Sequence, residues 1–278
     1  MSAARQNEPA GDRRPPQPVA GTRRVRAAAR PALAVAWPPR RGPRGIGAVR
    51  ARRRLVITAT GLSGAGLLAA SLSARAGSRR FYLLTGGLAC TWAGGALAAG
   101  PLPWASTPGH GHVSRRLVVM PLLNGVGAFG LFYGAARLAR HIPVLNQAIA
   151  TVLRYAEDGS APLVLLAASA NAVAEELFFR GALWSLAEQA QANPLATTTL
   201  AYTASTAVTR NPALTIAGTA TSVLFGLHRR ASGSVVAPAL THLTWSLLML
   251  HFLPPLFETP GSPRPLQAST PSDDKGPA

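Results

Sequence analysis

The sequence predicts an all-α, polytopic membrane helix bundle of six to eight transmembrane helices, flanked by two disordered tails. Three observations carry this. Apolar runs long enough to cross a bilayer recur between Leu55 and Leu253. Arginines and Pro/Gly-rich breaks separate those runs, so the punctuation is that of helices joined by loops. The positive charge is also segregated: of 28 basic residues, 14 are arginines within residues 1–54, opposed there only by Glu8 and Asp12. The net charge is +18, yet 48% of residues are hydrophobic and 14% charged. A soluble nucleic-acid-binding domain would share the charge but not the apolar excess.

Residues 1–54 read as a disordered Arg/Pro-rich tail, because eight prolines there oppose a long helix. No apolar h-region follows Met1, so no secretory signal peptide is expected. The tail is expected to lie near anionic membrane lipid. Its arginines favour a cytoplasmic N-terminus in the plasma membrane. No specific nucleic-acid partner is expected, since no aromatic interleaving accompanies the charge.

Residues 55–160 hold the N-terminal membrane helices. Leu55–Ser73, Phe81–Trp104 and Leu117–Ala139 are each long enough to span, at 1.5 Å rise per residue. Ile142–Tyr155 is short and fits the interface. Residues 161–253 form a denser helical core. Ala161–Ala187 is a long apolar helix carrying Glu175, Glu176 and Arg180. Leu195–Val208 and Ala213–Leu227 flank the Asn211-Pro212 break, and Val235–Leu253 is the last span. Residues 254–278 are a second disordered, Pro-rich tail. Cys90 is the single cysteine, which excludes an intramolecular disulfide and a Cys-rich zinc site.

The scarcity of acid is the functional signal. Between Gly159 and Phe257 only three acidic residues occur, and two of them, Glu175 and Glu176, are adjacent inside an apolar helix. A carboxylate at membrane depth is costly unless paired, so it is a functional hypothesis by default. Arg180 follows Glu176 by four residues and shares its face, so those two can pair. Glu175 is rotated by about 100° and keeps a free carboxylate, which suits a general base. In the last helix His242 and Ser246 share a face and can offer donors to an oxyanion.

The run Glu175-Glu176-Leu-Phe-Phe-Arg180-Gly181 resembles the Glu-Glu-x-x-x-Arg motif of the CAAX protease and bacteriocin-processing (CPBP, Abi) family of intramembrane endopeptidases. Leu227 to His242, a basic loop with Ser-Gly-Ser leading into a helix with His-x-x-x-Asn spacing, resembles the same family. The resemblance covers roughly Pro162 to Leu253. It implies glutamate-dependent hydrolysis without a metal cofactor. Glu175 would activate water, Glu176 and Arg180 would hold the helix, and His242 with Ser246 would stabilise the oxyanion. It implies as partners a membrane-associated peptide or protein, CAAX-like or lipidated.

Two departures mark a diverged member. The family's middle motif is Phe-x-x-x-His. Phe225-Gly-Leu-His228 is one residue short, and His228, next to Arg229-Arg230, is expected in the basic loop before the last helix. The segment with the right spacing is Tyr202-Thr-Ala-Ser-Thr206, where Thr206 stands in place of His. Ser246 stands in place of Asn and retains a hydroxyl donor. An alternative function is therefore a catalytically impaired membrane peptide-binding or bacteriocin-immunity protein. A zinc site of His228, His242 and Glu175 is the alternative cofactor reading. A transporter with the glutamates in a proton path is opposed by the lack of an inverted repeat in the sequence.

Overall fold

The computed structural model describes residues 43–104 and 115–257, and among these the regular structure is helical throughout. The expected tails at 1–42 and 258–278 lie outside the described residues, as do His110 and His112.

The first helix, α1 (Pro43–Leu72), starts upstream of the expected start at Leu55, so residues 43–54 are helical rather than part of a disordered tail. The cause is local. Past Pro43 this segment has no proline, and arginine is a good helix former whose aliphatic stem suits the edge of an apolar span. α2 (Arg79–Ala98) is capped by Ser78, whose side chain accepts from the Phe81 N–H at 3.2 Å. α3 (Arg115–Ala139) and the short α4 (Pro143–Glu157) follow.

Next comes one continuous helical run, Ala161–Gln189. It consists of α5 (Ala161–Glu176), a π-helical segment (Leu177–Leu183) and α6 (Trp184–Gln189). The π segment begins immediately after the glutamate pair, and such bulges often occur at functional sites. α7 (Pro194–Ala207) and α8 (Pro212–Ser232) both begin with Pro behind an Asn cap. Asn193 accepts from Ala196 N–H at 3.2 Å, and Asn211 from Leu214 N–H at 2.9 Å. α8 ends at Gly233, whose φ of +68° is the left-handed conformation that glycine tolerates. α9 (Val236–Phe252) closes the bundle, followed by a 3₁₀ turn at Pro254–Leu256 within the expected C-terminal tail.

Among the described residues, four helical segments are long and apolar enough to cross a membrane: Gly47–Leu72, Arg79–Ala98, Val118–Ala139 and Ala161–Gln189. The apolar α9 has 17 residues, α7 has 14 and α4 has 15. The fold is a helical membrane bundle, in which α9 packs against α3, α5 and α8.

α5 sits centrally, against α2 on one side and α9 on the other. Trp92 of α2 stacks on Phe178 and Phe179 of the π segment, with ring centroids 4.6 and 5.1 Å apart. α1 meets this cluster at Gly64, where an added Cβ would lie 2.3 Å from the Trp92 ring. The stack anchors the turn that carries Arg180.

Candidate active site

Glu176 ends α5 with its side chain wholly buried. Its Oε1 accepts from Arg180 Nη1 at 3.0 Å, across one helical turn, and lies 3.0 Å from His242 Nδ1 of α9. Arg180, also wholly buried, donates through Nη2 to the Ser222 carbonyl of α8 at 3.1 Å. Its guanidinium lies 5.2 Å from the ring centre of Tyr202 and 5.6 Å from that of Phe225. Glu176, Arg180 and His242 thus form one buried polar cluster binding α5, the π segment, α8 and α9. The pairing and these added bonds offset part of the cost of burying two charges, while Glu176 Oε2 and Arg180 Nε are buried with no hydrogen-bond partner.

The Glu176 carboxylate orients the His242 ring through Nδ1. The ring is held by Phe225, with centroids 4.7 Å apart, and by Trp245 at 5.7 Å.

Glu175 turns away from this cluster. It is half-buried and lines an apolar cavity of about 560 Å³, among whose lining residues it is the single charged group. Its Oε2 accepts from the Tyr202 hydroxyl at 2.5 Å. Ser246 lines the same cavity, one turn past His242, as does Asn171, one turn before Glu175. The two adjacent glutamates therefore have separate environments. Glu176 is enclosed in an ion-pair cluster, and Glu175 fronts a space able to admit a ligand.

His228 is not in a loop. α8 continues through Arg229 and Arg230 to Ser232, so His228 lies in its final turns. Two features keep the helix going: basic side chains suit a helix C-terminus, and Arg229 Nε donates to the Arg180 carbonyl at 3.0 Å. The His228 Nδ1 pairs with Thr241 Oγ1 at 2.8 Å, while its Nε2 is 3.4 Å from Asn124 Nδ2. Thr206 is buried, and its hydroxyl donates back to Tyr202 O and Thr203 O of its own helix, at 3.2 and 3.0 Å. The zinc set of His228, His242 and Glu175 does not assemble: His242 is on Glu176 and His228 on Thr241. Among the described residues no three His, Cys, Asp or Glu side chains converge as a metal-ligand group.

Sequence reasoning missed Tyr202, Ser222 and Arg229. Tyr202 carried a signal, since it puts a phenol where the middle motif has Phe, four residues before Thr206. Ser222 acts through its carbonyl and Arg229 reaches a carbonyl, so neither contact depends on a recognisable residue pattern.

No curated protein and no solved structure is a significant match to the chain. The family model for type II CAAX prenyl endopeptidase Rce1-like proteins does match, over residues 157–248. That span contains Glu175, Glu176, Arg180, His242 and Ser246. With the all-helical membrane bundle, this match is consistent with the CPBP family and places the region among proteins of protease class.

Proposed function

We propose that this protein is an integral membrane endopeptidase of CPBP type that cleaves a membrane-associated peptide with Glu175 as general base. The observation that carries the reading is the division of labour between the adjacent glutamates. Glu176 is spent on Arg180 and His242, whereas Glu175 lines the cavity.

In this reading the substrate's scissile carbonyl sits in the cavity beside Glu175. Glu175 takes one proton from a water molecule as the water oxygen bonds to the carbonyl carbon. The carbonyl electron pair moves onto its oxygen, where the Ser246 hydroxyl on the cavity wall donates to it, while His242, which does not line the cavity, stays on Glu176. Collapse of the tetrahedral intermediate breaks the C–N bond, and Glu175 returns its proton to the leaving amine. Glu176 and Arg180 hold the helix and the His242 ring without exchanging protons with substrate. These steps use only side chains of this chain and need no metal. The apolar lining suits a substrate presented from the bilayer, lipidated or CAAX-like. The arginine-rich N-terminal segment suits a cytoplasmic face of the plasma membrane, with anionic lipid and no specific nucleic acid as its partner.

The experiment is cleavage of an internally quenched, prenylated peptide ending Cys-aliphatic-aliphatic-X by full-length protein in liposomes. Wild type is expected to cleave and Glu175→Gln to lose roughly 10²–10⁴-fold of the rate. Equal cleavage by both would remove Glu175 from the chemistry.

One observation favours a second reading, an impaired peptide-binding or immunity protein of the same family. Thr206 turns its hydroxyl into its own helix, so the middle-motif position supplies no imidazole. Cleavage absent from wild type but present in Thr206→His would establish that reading.

A further inference from the structure

Two side chains of α7, one turn apart, meet the core of the bundle in opposite ways. Thr206 bonds back to its own helix and packs on Gly218 of α8, where an added Cβ would lie 2.9 Å from Thr206 Cγ2. Tyr202 reaches out of α7 to Glu175.

The Tyr202 ring is held on several sides. It stands edge-on to Phe179 with centroids 4.8 Å apart, beside the buried Arg180 guanidinium. Its Cε1 would lie 3.1 Å from a Cβ added at Gly218. A ring wedged this way has little freedom in aiming its hydroxyl, and a functional group held by packed neighbours is preorganised. The hydroxyl takes Oε2 of Glu175, a residue that lines the cavity, and so fixes one of its two carboxylate oxygens.

We propose that Tyr202 is the positioning residue for Glu175, its phenol holding Oε2 so that Oε1 meets the attacking water. This rests on the endopeptidase reading above. Tyr202 gives up no proton in the cycle. It donates to Oε2 when Glu175 is ionised and continues to do so when Oε1 has taken the proton from water.

The test is Tyr202→Phe in full-length protein in liposomes, against the same prenylated, quenched peptide. The expected result is a kcat lowered roughly tenfold to a hundredfold, the scale of a misplaced catalytic group, with KM unchanged. A kcat within about threefold of wild type, with Glu175→Gln inactive, overturns the proposal and leaves the endopeptidase reading intact. If wild type does not cleave the peptide, the endopeptidase reading falls, and infrared spectroscopy then decides on Tyr202. The Glu175 carboxylate band, assigned by its loss in Glu175→Gln, shifts in Tyr202→Phe if the phenol holds it. An unmoved band overturns the proposal.

Discussion

His242 makes its carboxylate contact with Glu176, Nδ1 to Oε1 at 3.0 Å, rather than with the neighbouring Glu175. The same Oε1 accepts from Arg180, so one oxygen joins a cation of the π segment to a ring of α9. The arrangement ties Glu176 into the ion-pair cluster and leaves Glu175 on the cavity wall. Four predictions follow from it and from the contacts around it.

Glu176→Ala leaves the buried Arg180 without its carboxylate. Removing one partner of a buried ion pair costs about 3–5 kcal/mol, and here it also releases His242. Thermal unfolding in detergent is expected to fall by that measure for Glu176→Ala and Arg180→Ala alike. The double variant should cost much less than the sum of the two, since the residues share one interaction. Additive losses would show that the pair is not coupled.

Thr206→Ala should leave cleavage within about threefold of wild type, because the Thr206 hydroxyl serves only its own helix. Steady-state rates on the quenched peptide check this. A loss of the size expected for Glu175→Gln would mean that Thr206 takes part in water activation.

Gly218→Ala puts a methyl group 2.9 Å from Thr206 Cγ2 and 3.1 Å from Tyr202 Cε1. Overpacking of this kind costs about 1–3 kcal/mol. The Thr206 and Tyr202 side chains have to give way to it. Both unfolding temperature and kcat are expected to fall, whereas Gly86→Ala, which has open space at its Cβ and gains helix propensity, should leave kcat unchanged and not lower the unfolding temperature.

Much of the fold is legible in the sequence because its signals are local. Asn193-Pro194 and Asn211-Pro212 mark the starts of α7 and α8, and each Asn side chain caps its helix. The Glu176–Arg180 contact is also local, since a spacing of four places both on one face. Arginine was the misleading residue. Residues 50–54 read as the end of an Arg/Pro-rich tail and 229–230 as part of a basic loop, yet both lie inside helices, and this moved the start of α1 and took His228 out of α8. Arg229 is retained in the helix by a carbonyl distant in sequence. The partition of His242 to Glu176 and of Tyr202 to Glu175 is tertiary. It depends on how α7 and α9 approach α5, which no spacing within one helix records.

The most direct test compares Glu175→Gln with Glu176→Gln, measuring cleavage of the prenylated peptide per folded molecule alongside thermal unfolding. The account predicts that Glu175→Gln unfolds at the wild-type temperature and loses roughly 10²–10⁴-fold in rate. Glu176→Gln is predicted to unfold at a lower temperature and to keep measurable cleavage in its folded fraction. A Glu175→Gln protein that cleaves at the wild-type rate, or a stable Glu176→Gln protein with none, would contradict the assignment of the two glutamates.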